Sequence, residues 1–204
     1  GDMKQPGDGA LTNMTWERWI KPKSEDGIIM CKYNTQGIDY VSYFIGLREN
    51  GKFRSIANQD VGGKNTHAIT KNSYSKIGQW TYLTSTFKLG GINDIDMFIN
   101  GFEVGVEQIS KNGNYMQNIP VSDDIGRIRK EQSTDYADAI IDEVRWSKTV
   151  RSNAWIETSF NTMNDPSSFI KCSKVVSKTS LINSQYLNNL QDYQYLFRII
   201  RLIF

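Results

Sequence analysis

Two pairs of carboxylates and one histidine are the residues whose types and spacing bear on chemistry in this 204-residue chain. Asp94 and Asp96 stand two apart in Asp-Ile-Asp-Met-Phe-Ile-Asn, a spacing that aims both side chains at one face of a strand. Retaining glycoside hydrolysis needs such convergence, one carboxyl serving as nucleophile and the other as acid and base. The stretch runs on through Ile99 and Asn100 without a further carboxylate, so Asp94 and Asp96 read as loop-end residues ahead of a strand. Asp142 and Glu143 are adjacent, and neighbours on a strand point to opposite faces. That pair therefore reads as salt-bridging and backbone-bonding. His67 is the single histidine, in a polar stretch with no nucleophile motif beside it, which argues against a histidine triad or a multi-histidine metal site. Gly62-Gly63-Lys64-Asn65-Thr66 lacks the upstream glycine and the following helix of a phosphate loop.

Aromatic rings are the remaining chemical lead. Tyr74, Tyr115 and Tyr136 lie in polar, loop-like stretches, where an exposed ring can stack on a pyranose with Asn, Asp or Arg hydrogen-bonding around it. These three are the candidate carbohydrate-binding residues. Trp16, Trp19, Trp80, Trp146 and Trp155 sit in alternating or helical patterns and are expected in the core. Cys31 and Cys172 are the only cysteines, read either as two free thiols or as one disulfide.

The elements that must position these residues are mostly short strands. Met14 to Lys21 alternates Met14, Trp16, Arg18, Ile20 against Thr15, Glu17, Trp19, Lys21, and Pro22 ends it. Ile28 to Tyr33 follows. Asp39 to Arg48 then joins Phe53 to Ala57 through Glu49-Asn50-Gly51-Lys52, where Asn-Gly supplies residues tolerant of positive φ. Asn58 to Tyr74 reads as a long polar excursion. Gln79 to Lys88 and Asp96 to Val106 are the next strand segments, the latter turning at Asn100-Gly101. Asp124 to Gly126 is a short Ile-Gly segment. Ala139 to Trp146 is β-rich, and Ser152 is a helix N-cap ahead of Ala154, Trp155, Ile156 and Phe160. Scarce helix and recurring short strands with turns between them imply an all-β, two-sheet antiparallel jelly-roll sandwich with one short helix.

Charge and composition narrow the partners. Lys and Arg total 24 against 22 Asp and Glu, with no basic run, so no nucleic-acid partner is expected. Past Asp165-Pro166, residues Tyr186, Leu190, Tyr193, Phe197, Ile200 and Phe204 repeat at four and three, a heptad-like seam. The domain division is thus 1–170 for the sandwich and 171–204 for a C-terminal extension, expected to be an amphipathic helix. Its apolar run is too short to span a bilayer and Arg198 and Arg201 interrupt it. Docking on the sandwich, membrane-surface binding and assembly stay open for it; a partner surface, such as another copy in a homo-oligomer, is favoured.

The wording Ile-Gly-Arg, then Ile-Ile-Asp-Glu-Val-Arg-Trp-Ser, then Arg-Ser-Asn-Ala-Trp-Ile, from Ile125 to Ile156, resembles the close of laminin-G-like jelly-roll domains of the concanavalin A-like lectin/glucanase superfamily. Trp80 with Phe98-Ile99-Asn100-Gly101, and Met14 to Pro22, match other recurrent segments of that family. Trp16 and Arg18 stand there in place of aliphatic and small residues. The resemblance implies a non-catalytic carbohydrate-binding or adhesion module of a surface or secreted protein, with a glycan or surface protein as partner. The alternative is a structural or oligomerisation domain with no small ligand. It also implies an extracellular or cell-surface location, which rests on the resemblance alone because no signal peptide is visible. Related glucanases carry Glu-apolar-Asp-apolar-x-Glu on one strand; here the first carboxylate is Asp94 and the third position is Ile99. Related domains bind structural calcium at loop ends, which makes Asp142 the candidate metal ligand, although calcium needs several oxygens at once.

Overall fold

Apolar alternation in the first strand fixes where the core lies. The computed structural model describes residues 11–34, 40–58, 64–92, 94–116, 123–127 and 136–169. Among the described residues, β1 (Asn13–Pro22), β6 (Thr81–Lys88), β7 (Asp94–Ile99), β8 (Phe102–Val104) and β11 (Ala139–Ser147) form a five-stranded sheet in the order β11-β1-β6-β7-β8. A six-stranded sheet of order β10-β2-β3-β4-β5-β9 faces it. It contains β2 (Gly27–Asn34), β3 (Tyr40–Arg48), β4 (Lys52–Asn58), β5 (Asn65–Thr70), β9 (Val106–Lys111) and β10 (Asp124–Ile125). All the pairings are antiparallel. The expected all-β two-sheet jelly-roll sandwich is the architecture observed.

One hydrophobic cluster fills the space between the sheets. Met14, Trp16 and Ile20 of β1, Leu83 and Phe87 of β6, and Ile95, Met97 and Ile99 of β7 meet Ile29, Met30, Tyr43, Ile45, Leu47, Phe53 and Ala57 of the other sheet. Each of the Ile, Leu, Met and Phe side chains contributes about 1.5–3 kcal/mol by leaving water. Both Asn-Gly turns form as expected. Asn50 and Gly51 adopt φ of 66° and 68°, Asn100 and Gly101 of 52° and 85°.

Three expectations change. The excursion from Asn58 to Tyr74 contains β5, with Thr66, Ala68 and Thr70 buried. Its inward residues are small and half polar, so the strand carries little apolar signal; Thr66 Oγ1 donates to Gly113 O instead. Asp94 and Asp96 lie inside β7 rather than ahead of it. Trp80 and Trp155 are 43% and 48% exposed rather than core, and Trp19 is half-buried on the outer face against Phe160. Trp80 precedes β6, where alternation no longer governs it, and Trp155 lies under the Arg151 guanidinium, 4.2 Å from its ring centroid.

The helix α1 (Asn153–Asn164) starts where Ser152 predicts, the Ser152 Oγ accepting the Trp155 N–H at 3.3 Å. Its Ile156 is fully buried, and Phe160 packs on Trp19 and Tyr82 with ring centroids 5.7 and 6.0 Å away. α1 therefore covers part of the outer face of the five-stranded sheet. The β7–β8 turn abuts it so closely that a Cβ on Gly101 would lie 3.1 Å from the Phe160 Cβ. A short α2 (Pro166–Phe169) follows. Residues Gly1–Phe169 form one compact unit; the C-terminal extension, its expected helix and Cys172 lie outside the described residues. Among the described residues no helix is long and apolar enough to cross a membrane.

Candidate functional site

The three tyrosines are not brought together at one place, Tyr115 lying at the opposite end of β1 from Tyr74. Tyr74 is half-buried against the core cluster and its N–H bonds to Gly51 O at 2.9 Å. The loop that carries it is tied through Gly78 N–H to Pro22 O, at the end of β1. Tyr115 is half-buried beside Met116, whose N–H bonds to Leu11 O, ahead of the start of β1. At the strand rise of about 3.3 Å per residue, the two ends of β1 are roughly 30 Å apart. Tyr136 is 54% exposed and bridges to Arg127 near the start of β2, where Tyr136 O lines the space beside Gly27.

Asp142 belongs to a more organised place. β1 and β11 pair as Glu17 with Arg145 and Trp19 with Asp142, so Arg18 alone opposes Glu143 and Val144. That extra residue is a β-bulge, and Glu143 takes the left-handed φ of 51° that such a bulge uses. The bulge breaks the alternation, and Asp142 and Glu143 both face solvent. The expectation that they point to opposite faces fails for this reason. Asp142 Oδ1 accepts the Glu143 N–H at 2.8 Å, and Glu143 Oε2 accepts from Arg145 Nη2 and Nε at 2.6 and 3.2 Å.

Trp19, the cross-strand partner of Asp142, anchors an aromatic group on this outer face. Trp80 meets Trp19 edge-on, with centroids 6.5 Å apart and planes at 87°. Trp19 in turn packs on Tyr82 at 5.2 Å and on Phe160. Below them Glu17 is buried, its Oε1 accepting the Tyr82 hydroxyl at 2.6 Å. Burial, that hydrogen bond and the Glu17 charge push the Tyr82 phenol above its usual range. The result is an exposed indole on a fixed aromatic base, with β1 between it and the strand that carries Asp142, Glu143 and Arg145. Nothing in the sequence marks Trp80 for this role, because only a bulge and an outward-facing Trp19 bring the pieces together.

The other carboxylates are committed elsewhere. Asp96 is paired with Lys88, whose ammonium is held above its usual range first by that hydrogen bond, and Asp94 is paired with Lys111 across to the other sheet. Asp123 Oδ1 accepts the Tyr43 hydroxyl at 2.5 Å, and Asp124 Oδ1 lies 3.6 Å from Arg127 Nη2. Cys31 is buried beside them, its thiol pushed up to about 12 by burial and then by Asp124 and Asp123. Among the described residues no group of three or more His, Cys, Asp or Glu is placed to hold a metal ion. His67, the single histidine, lies in β5 and not in a loop, with its ring held down to about 4 by burial and by the Arg54 and Arg48 charges.

A laminin G family model, described as concanavalin A-like lectin/glucanases superfamily, matches residues 4–157. No curated protein matches the chain in sequence. Solved structures share the fold at low identity. A heptameric SAP-like pentraxin from Limulus polyphemus is 15% identical at TM-score 0.55, over 74% of this chain and 70% of that one. The binding domain of Paraclostridial Mosquitocidal Protein 1 is 17% identical at TM-score 0.56, over 76% of this chain and 38% of that one. A carbohydrate-binding candidate from Bacteroides ovatus is 15% identical at TM-score 0.54, over 76% of this chain and 42% of that one. The chain thus spans well under two thirds of the last two proteins, and identities this low show the fold alone.

Proposed function

The chain belongs to the concanavalin A-like lectin/glucanases superfamily, and on that premise we propose that it is a non-catalytic carbohydrate-binding module of a surface or secreted protein. The observation that carries this reading is Trp80: a 43% exposed indole, backed edge-on by Trp19, whose cross-strand partner on β11 is the exposed Asp142. A pyranose laid on Trp80 would bury its apolar C–H face against the indole, with polar side chains of the same outer face to take its hydroxyls. Solved structures of the same fold that are described as binding domains support the reading.

A glycan array followed by calorimetry tests it. Wild type is expected to bind at least one neutral oligosaccharide, and Trp80→Ala to weaken that binding tenfold or more, since an aromatic anchor is worth about 2 kcal/mol. Asp142→Asn should weaken it less and leave the fold intact. An array on which no glycan binds would instead favour a structural domain without a small ligand. Catalysis is checked on the same protein with β-glucans: no reducing ends are expected, because Asp94 and Asp96 are each paired with a lysine. Sugar release abolished by Asp94→Asn or Asp96→Asn would overturn the non-catalytic assignment.

A further inference from the structure

A bare charge lies inside the sandwich. Arg18 is 0% exposed, on a strand where Trp16 and Ile20 build the hydrophobic cluster to either side of it. Burial lowers its titration only to about 9, so at pH 7 it enters the core as a cation. Buried charges are ordinarily paired, because an unpaired one has given up its water without compensation. Among the described residues Arg18 forms no ion pair. Glu17, its neighbour in sequence, points to the opposite face of β1, where its Oε1 is engaged by the Tyr82 hydroxyl.

The surroundings of the guanidinium are rich in donors. Nη1 donates to Trp16 O at 3.3 Å and Nη2 to Ser85 Oγ at 3.2 Å. A guanidinium has more N–H groups than these two contacts use, and the buried Arg18 Nε–H meets no acceptor. Ser85 Oγ lies 2.9 Å from Ser55 Oγ of the facing sheet. One hydroxyl hydrogen joins the two serines, which leaves the other able to donate elsewhere. Small side chains keep this part of the core open: Ser55 pairs across β4 and β5 with Ala68, and all of Ser55, Ala57 and Ala68 are buried. A positive charge, an orphan N–H and a spare O–H, with no carboxylate turned towards them, make an anion site. Two sheets packed about 10 Å apart leave room for one atom and not for a sulfate.

We propose that the core of the sandwich binds a halide, chloride under ordinary conditions, held by the Arg18 guanidinium together with the Ser55 and Ser85 hydroxyls. The halide balances the buried charge, accepts the Nε–H and ties β1 and β6 to β4 through one ion. A water in its place would accept the same N–H but leave the charge uncompensated. By the resemblance of Met14 to Pro22, Arg18 takes the place of a small residue, so the site is one that this chain adds to its fold. Because the ion is enclosed, it enters as the sheets close and binds the folded state alone, which makes it a contribution to stability.

The test unfolds the full chain and refolds it in sodium chloride, sodium bromide or sodium gluconate at one ionic strength, then measures the melting temperature. Wild type should melt higher in either halide than in gluconate, by roughly 3–6 °C once the halide stands about tenfold above its dissociation constant. Arg18→Met, which has neither the cation nor the orphan donor, should melt alike in all three salts. Ser55→Ala with Ser85→Ala keeps the cation and should lose at least half of the halide shift. Crystals grown from bromide should show an anomalous peak within hydrogen-bonding reach of Arg18 Nε. Equal halide shifts in wild type and Arg18→Met would make them general salt effects and overturn the proposal. An undiminished shift in the double serine variant, or a bromide crystal with no halide beside Nε, would overturn it as well. None of these outcomes bears on glycan binding, and Trp80→Ala should keep the full halide shift.

Discussion

Arg18 shows how far one side chain can depart from what its strand leads one to expect. It alternates with Trp16 and Ile20 into the core and is fully buried. Its Nη1 donates to Trp16 O at 3.3 Å and its Nη2 to Ser85 Oγ at 3.2 Å, and Ser85 Oγ lies 2.9 Å from Ser55 Oγ of the other sheet. Burial dominates its titration, bringing it down to about 9 despite Tyr82 and Glu17. At pH 7, below that value, the guanidinium is charged in both folded and unfolded states, so the full desolvation cost is present. Two neutral hydrogen bonds offset only part of it. Arg18→Met should therefore stabilise the chain by about 1–3 kcal/mol, read as a higher urea midpoint at unchanged slope. A lower midpoint would mean that the Arg18–Ser85–Ser55 chain joins the sheets more strongly than burial opposes it. His67 gives a second titration test. Its folded value of about 4 lies below the ordinary 6.5, so the unfolded state binds the extra proton between them. Stability should be intact above pH 6.5 and fall, by on the order of 2 kcal/mol, as pH drops towards 4. His67→Gln should flatten that part of the pH–stability curve.

At the scale of elements, what the sequence shows and what it hides follow one rule. Strands whose inward residues are large and apolar, such as β1, β3 and β6, are legible, and so are the Asn50-Gly51 and Asn100-Gly101 turns, because left-handed φ selects those residue types. β5 is not, since Thr66 and Thr70 occupy inward positions and bury their hydroxyls by hydrogen-bonding to Gly113 O and Asn72 O. The candidate site is hidden for a different reason: Asp142 and Glu143 share a face only through a bulge, a backbone event that no side-chain pattern announces. The helix start at Ser152 was legible, its docking face less so, as Trp155 points outward and Ile156 inward. Ser152→Ala should cost about 0.5–2 kcal/mol by leaving the Trp155 N–H without its cap. Ile156→Ala should cost more, about 2–4 kcal/mol, because it opens a cavity under α1. Both are measured by denaturant unfolding. If both changes left the midpoint where it was, α1 would be an appendage rather than part of the cooperative unit.

At the scale of the whole molecule, the candidate site proposed around Trp80 lies on the outer face of the five-stranded sheet. Its residues all lie within Gly1–Phe169. The core cluster runs from Met14 to Met116, its peripheral contacts reach Trp146, and Ile156 closes the covering helix. Gly1–Phe169 is compact by itself, and the family match ends at residue 157. A fragment of residues 1–169 is therefore expected to fold alone, with a β-dominated circular-dichroism spectrum and one cooperative thermal transition. It should melt within a few degrees of the full chain, because the core cluster lies wholly within it and each kcal/mol is worth only about 2–4 °C at this size. The site proposed at Trp80 should survive in it. Light scattering on the two proteins then isolates the heptad stripe from Tyr186 to Phe204. An assembled full chain beside a monomeric fragment would assign assembly to that stripe, and Phe197→Asp with Ile200→Asp should abolish it by burying charge in the seam. A fragment without a cooperative transition would show that residues 170–204 complete the fold, and the division at Phe169 would fall.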